Sequence, residues 1–269
     1  MTQIEKELVK KSFGSHAGQY DSLAIVQQTV SDRLLEIIQT YSEKPSNILD
    51  IGSGTGRLLE KIAILYPAAQ LTGIDLAFGM TNVARARMKA IANSDFVCGD
   101  AEKLPFRYSS FDLAVSTSTY QWISPLASAF AEVYRSLKPG SSFIFALFGE
   151  KTLFELKESY RNALIETGKN SLDRTHSFAS MDQVDAAMNS AGFDKVRLFD
   201  GVETEMHPDV PSLIRSLKGI GAGNASRKGN SGLSGRTDML RMMNIYRDNY
   251  GTDSGIRATY HVVYGVGVK

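Results

Sequence analysis

The sequence predicts an α/β fold: a mostly parallel sheet with helices on both faces. Three observations predict it. Short apolar runs alternate with helix-period segments between residues 47 and 148. A glycine-rich turn joins the first run to the helix behind it. Successive runs finish on or beside acidic residues, at Asp50, Asp75 and Asp100.

Residues 1–22 are polar, with Gly14, Gly18 and Tyr20, and are expected to form a mobile N-terminal arm or lid. Leu23, Val26, Val30, Leu34, Ile37 and Ile38 stand at helical spacing and predict a helix over 23–41, before the breaker Pro45. Asn47 to Ile51 is a strand, and Arg57 to Tyr66 is a helix that stops at Pro67. Gln70 to Ile74 is a strand, Met80 to Ala92 a helix and Asp95 to Cys98 a strand. Phe111 to Ser116 is a strand and Pro125 to Leu137 a helix. Lys138-Pro139-Gly140 has the composition of a turn, and Ser142 to Phe148 is an apolar strand.

The remainder is less regular. Helices are expected over 152–167, 180–190, 209–218 and 237–248, with strands at Lys195 to Phe199 and Thr259 to Val268. The Gly/Ser/Asn-rich stretch 219–235 is expected to be a flexible loop. The result is a seven-stranded sheet in a single domain over 23–269, with residues 205–250 as a helical insert before the last strand. Right-handed crossovers put the strand ends on one edge, where such sheets bind ligands.

Thirty Lys and Arg stand against 29 Asp and Glu, and 43% of the residues are hydrophobic. That balance excludes a disordered regulator and a globally basic nucleic-acid binder. No apolar run reaches the roughly 18 residues of a membrane span. The N-terminus lacks a signal peptide's apolar core, and the lone Cys98 has no internal partner; both point to the cytoplasm. The histidines, at 16, 176, 207 and 261, show no metal-ligand spacing.

The turn reads Asp50-Ile51-Gly52-Ser53-Gly54-Thr55-Gly56. Glycines admit positive φ and a close ligand, and the helix start offers free amides to an anion. Asp75, 19 residues past Gly56, is placed to accept both hydroxyls of a ribose. Asp100 is placed to accept from the exocyclic amine of a base. The spacing is GxGxG, which disfavours a dinucleotide pyrophosphate.

ILDIGSGTGRLLEKIA, TGIDLAFGM, FVCGDAEKLPF and SLKPGSSFIF, taken in order, resemble the motifs of class I S-adenosylmethionine-dependent methyltransferases. The resemblance implies a Rossmann-like fold and S-adenosyl-L-methionine as cofactor. Gly52, Gly54 and Gly56 would flank its methionine part, and Asp75 would hold the ribose. Met80 would pack on the adenine, and Asp100 with the Ala101 backbone would read its amine. Leu76 and Ser116 would complete the set. Met80 is equally readable as a core helix residue. Asp50 has two readings, as a cap of the loop or as partner of the cofactor's ammonium.

FGSHAGQYDSLAIVQ, TSTYQWISPL, LIRSLKGIGA and TYHVVYGVGVK extend the similarity to the malonyl-acyl-carrier-protein O-methyltransferases of biotin synthesis. The implied reaction is methylation of the free malonyl carboxylate on an acyl carrier protein, or on coenzyme A. The alternative acceptors are another small acid, a quinone or RNA. Tyr20 is the first candidate for closing the site. Gln121 and Trp122 follow the fourth strand on the ligand edge, and His176 lies in a connector. Each has a plainer reading: surface aromatic for Tyr20, core for Trp122, solvated loop for His176. His261, in an alternating strand, reads as structural.

Residues 211–247 hold seven cations, among them Arg215, Lys218 and Arg241, against Asp238, a local +6. Such a run is either a solvated face or a docking patch for an acidic carrier protein.

Overall fold

The computed structural model describes residues 6–168, 177–222 and 233–269. The chain opens with helices α1 (Lys6–His16), α2 (Tyr20–Leu23) and α3 (Ile25–Tyr41). Then follow β1 (Asn47–Ile51), α4 (Arg57–Leu65), β2 (Gln70–Asp75), α5 (Phe78–Arg87), β3 (Ser94–Cys98) and β4 (Phe111–Thr117). A single 3-10 turn, Tyr120–Trp122, leads to α6 (Leu126–Ser136), β5 (Leu137–Phe148), α7 (Phe154–Glu166) and α8 (Met181–Ala191). The chain closes with β6 (Asp194–His207), α9 (Val210–Gly219), α10 (Leu233–Tyr250), β7 (Gly251–Thr252) and β8 (Gly255–Val268).

The strands form one sheet in the order β3-β2-β1-β4-β5-β8-β6, with the two-residue β7 paired to β8. Strands β1 to β5 pair in parallel, and β8 enters antiparallel between β5 and β6. The seven expected strands are therefore present, with β7 as an addition.

Alternation along the strands builds two cores. Ile48, Leu71, Leu113, Val115, Ile144 and Ala146 face one side, packed with Val30, Leu34 and Ile38 of α3 and Leu59 and Ile62 of α4. Leu49, Ile51, Ala114, Phe143, Phe145 and Leu147 face the other, against Phe130 and Val133 of α6 and Val184 and Met188 of α8. The rings of Tyr120, Phe130, Phe143 and Phe145 meet at tilted, edge-on and stacked angles in that second core.

Three expectations need correcting. Lys138-Pro139-Gly140 is the start of β5, not a turn. Pro139 is tolerated near a strand's first residue, and Gly140 at φ +78° donates its N–H to the Lys269 carbonyl at 2.6 Å. β6 runs to His207, so the insert begins after it, not at 205. Helix α10 begins at Leu233, four residues before the expected 237, and takes in the end of the 219–235 stretch. Most of that stretch, with Arg227 and Lys228, lies outside the described residues.

The polar arm is also more built than its composition suggested. Residues 6–23 form α1 and α2, and Asp21 anchors them. It accepts from Thr55 Oγ1 of the glycine turn at 2.7 Å and is ion-paired to Arg87 of α5.

Candidate active site

The glycine turn is set by backbone geometry. Gly52, Gly54 and Gly56 have φ of +71°, +52° and +80°, a region that side-chain-bearing residues rarely adopt. A Cβ on Gly52 would lie 1.9 Å from Thr119 Oγ1, so the turn between β1 and α4 closes only with glycine there. The amides of Gly52 and Ser53 donate to the Ile74 carbonyl at 2.7 and 3.0 Å, which ties the turn to the end of β2.

Asp75 ends β2 beneath this turn. Its two oxygens accept from the Gly54 amide at 2.9 Å and the Ala77 amide at 2.8 Å. Burial pushes its carboxyl up, against the pull of those two amides.

Asp50, at 1% exposure, has no hydrogen-bond partner on either oxygen. The capping reading therefore finds no bond to support it. Burial, then the nearby Asp75 charge, pushes the Asp50 carboxyl up to about 8. An orphaned buried carboxyl group beside a turn of positive-φ glycines is what a cationic ligand group would ionise and satisfy.

A cleft lies over the ends of β1, β2 and β4. Gly52, Gly54, Asp75, Leu76, Met80, Asp100, Ala101, Trp122 and Tyr20 all line it. Met80 also packs with Ala17 and Ala77, so it is a core residue and a wall residue at once. Asp100 accepts from Lys6 Nζ at 2.8 Å and the Glu102 amide at 2.9 Å. Partial burial opposes its ionisation, but those two bonds and the charges of Lys6 and Lys103 outweigh it and hold the carboxyl below its usual range. The Tyr20 phenol is pushed far up by burial and by the charges of Asp75 and Asp21, so it is a neutral hydroxyl at pH 7.

Other expected residues stand back from the wall. Gly56 is the N-cap of α4. Ser116 is fully buried, and its hydroxyl donates to the Ile51 carbonyl at 2.6 Å; it fastens β4 to the end of β1. Gln121 is buried and its amide donates to the Ser118 carbonyl at 2.7 Å, bracing the turn before Trp122. His176 lies outside the described residues. His261 packs against Gly149, and its carbonyl accepts from the Gly149 amide and Thr152 Oγ1, as suits a structural residue.

Residues the sequence reading missed are Lys6, Val9, Lys10 and Phe13 of α1, together with Ala77, Thr117 and Thr119. Phe13 meets Trp122 edge-on at 5.8 Å and Tyr20 at 6.2 Å. Its period with Lys6, Val9 and Lys10 marks one helix face, a signal present in the sequence.

Of the docking candidates, Arg215 donates to Ser212 Oγ at 2.8 Å and lies 3.9 Å from Asp209, the N-cap of its helix. Arg241 is ion-paired to Glu166 of α7. The C-terminal end of α9 abuts the arm: a Cβ on Gly219 would lie 2.5 Å from Leu23 Cδ1. Arg215 and Lys218 thus belong to a helix that ends beside Leu23 of α2. Among the described residues, no helix is long and apolar enough to cross a membrane and no cluster of metal-ligating side chains occurs.

Sheet order, glycine turn and paired acidic strand ends define a class I, Rossmann-like S-adenosylmethionine-dependent methyltransferase. A methyltransferase-domain family model matches residues 49–145. Over 99% of its length the chain is 47% identical to a malonyl-[acyl-carrier protein] O-methyltransferase of Geobacter sulfurreducens, of which it covers 100%. The chain belongs to that family. Two solved structures share the fold. One is a SAM-dependent methyltransferase of Thermotoga maritima, at 18% identity over 97% of this chain and 99% of that one, with a TM-score of 0.57. The other is a phosphoethanolamine N-methyltransferase of Haemonchus contortus in complex with S-adenosylmethionine, at 20% identity over 88% of this chain and 52% of that one, with a TM-score of 0.54.

Proposed function

We propose that the protein transfers a methyl group to the free carboxylate of a malonyl thioester carried by an acyl carrier protein, early in biotin synthesis. The observation that carries this reading is the 47% identity to the Geobacter enzyme, which extends through the arm and the insert as well as the cofactor half. The Saccharophagus degradans biotin-biosynthesis bifunctional protein, 34% identical over 96% of this chain, supports the same assignment.

The residues present fit the cofactor. Asp75 would hold the ribose hydroxyls, Asp100 and the Ala101 amide the adenine, and Met80 its face. The unpartnered Asp50 carboxylate would meet the ammonium group. Bound S-adenosylmethionine supplies an electrophilic methyl group on a cationic sulfur.

The chain's remaining task is small. A malonyl carboxylate has a pKa near ~4 and is already ionised at pH 7, so no general base is needed. A carboxylate oxygen forms the new bond to the methyl carbon, and the carbon–sulfur electron pair stays on sulfur. Positioning accounts for the catalysis, and holding two reactants in line contributes up to roughly 7–11 kcal/mol. Phe13, Tyr20 and Trp122 form an aromatic wall that excludes water. The neutral Tyr20 hydroxyl is suited to donate a hydrogen bond to the carboxylate without adding a negative charge.

The arm, described over residues 6–22, acts as the cover of the cleft. Residues 23–269 form one catalytic domain, with α9 and α10 on the acceptor side. Arg215 and Lys218 of α9 are the proposed contacts for an acidic carrier protein. The test is mass spectrometry of malonyl-acyl-carrier protein after incubation with enzyme and S-adenosylmethionine. The expected product is heavier by one methylene and sensitive to ester hydrolysis. Bound cofactor without that product overturns the acceptor assignment.

A further inference from the structure

Helix α1 lies along the cleft with one face toward it, and its two ends are held by different forces. At the C-terminal end, Phe13 packs against Trp122 and Tyr20. One residue on, the Gly14 carbonyl approaches α5 so closely that a Cβ on Gly79 would stand 2.4 Å from it. At the N-terminal end the link is ionic. Lys6 Nζ lies 2.8 Å from Asp100 Oδ2 and 2.8 Å from Glu102 Oε2, bridging two carboxylates of the loop after β3. All three residues line the cleft.

The bridge sits on the carboxylate assigned to the adenine. Asp100 Oδ1 already accepts from the Glu102 amide, and Oδ2 from Lys6. An ionised carboxylate offers about four lone-pair directions. Two remain for an exocyclic amine, so Lys6 and the base are compatible on the same group. A cation there fixes the carboxylate's orientation and ties the covering helix to the floor at the point where the base would leave.

We infer that Lys6 is a positioning residue for cofactor binding: it orients Asp100 and latches α1 across the adenine end of the cleft through paired contacts to Asp100 and Glu102. The inference rests on the cofactor site described above and not on the identity of the acceptor. Release of the cofactor then requires the latch to part, whereas the aromatic end of α1 remains seated.

The side chains of the latch are 42%, 33% and 24% exposed for Lys6, Asp100 and Glu102, so the expected effect is moderate and salt-dependent. Lys6→Met keeps the apolar stem and removes the charge. It is expected to raise the S-adenosylmethionine Kd, measured by calorimetry, and the release rate of labelled cofactor by roughly two- to tenfold at low salt. The gap from wild type should narrow as salt is added, and Lys6→Arg should restore most of the affinity. Glu102→Gln should weaken binding less, and its effect should shrink in the Lys6→Met background because the two residues share one contact. Unchanged Kd and release rate in Lys6→Met overturn the latch. Tighter binding overturns it too, and shows instead that Lys6 competes with the base for Asp100. If wild type binds no cofactor at all, the site assignment fails and the latch with it; if it binds cofactor but makes no methyl ester, only the acceptor assignment fails.

Discussion

The proposed cofactor half and the proposed acceptor side of this molecule are built on different principles. Between residues 47 and 122, the proposed cofactor site rests on backbone conformation and on carboxylates fixed at strand ends. Gly52, Gly54 and Gly56 hold positive φ, and Asp75 is clamped by two amides. The arm over the cleft is instead held by side chains from separate elements: Phe13 on Trp122, Asp21 on Arg87 of α5, and Leu23 near Gly219 of α9. A backbone site tolerates little variation, because a Cβ or a lost carboxylate has no substitute. A site of side chains on separate helices can change partner and specificity without disturbing the sheet.

The sharpest way to break that contrast is Asp75→Ala. It removes the proposed ribose acceptor and orphans the Gly54 and Ala77 amides. At ~1.5–3 kcal/mol for each charge-assisted hydrogen bond, loss of two should weaken S-adenosylmethionine binding at least about a hundredfold. Calorimetry checks it, and near-normal affinity would remove Asp75 from the site.

Asp50 gives the next largest effect, visible without an acceptor. Its folded pKa of about 8 lies well above its ordinary 3.8, so the folded state holds a proton that the unfolded state gives up. Stability from this group is therefore complete below pH ~4, falls as pH rises through the window up to about 8, and is flat above it. At ~1.36 kcal/mol per pKa unit the loss is on the order of 6 kcal/mol for a fully uncompensated carboxylate. Asp50→Asn should flatten that slope in thermal melts of the cofactor-free protein between pH 5 and 8, while weakening cofactor binding. A variant whose melts keep the wild-type slope would assign the pH dependence elsewhere.

The same contrast governs what could be read from the sequence. The glycine turn, Asp75 and Asp100 were legible because local rules, positive φ and strand-end position, place them without reference to distant residues. Lys138-Pro139-Gly140 misled because turn composition was satisfied inside a strand whose edge partner, Lys269, is 129 residues away. β6 looked short because it is an edge strand: Asp200, Val202, Thr204 and Met206 face outward, and its length shows only against β8. Helix α1 was hidden for a similar reason. It has no fully buried residue, so its pattern is weak, and its purpose appears only with the cleft beneath it. Ser116 and Gln121 were placed correctly along the chain, but position on the ligand edge does not decide whether a side chain reaches the wall or braces a neighbouring turn.

The smallest expected effect concerns the basic segment, and the structure explains why. The +6 over residues 211–247 becomes +4 when the window is widened to Asp209 and Asp248. Both acids approach cations of the segment: Arg215 lies 3.9 Å from Asp209, and Arg247 3.2 Å from Asp248. Arg241 is ion-paired to Glu166. The field available for steering an acidic carrier is thus weaker than the bare sequence count, and among the described residues it resides in exposed groups that salt screens. Arg215→Glu with Lys218→Glu should raise the KM for malonyl-acyl-carrier protein by about three- to tenfold at low salt and leave kcat nearly unchanged, since rim charges act mainly on encounter. Malonyl-pantetheine, which shares the reacting carboxylate but has no protein surface and no phosphate, should be methylated equally by both proteins. Equal losses on the two substrates would mean that the reversal had disturbed the cover through α9 and α2, and the acceptor side would then be coupled to the cofactor half more tightly than their construction suggests.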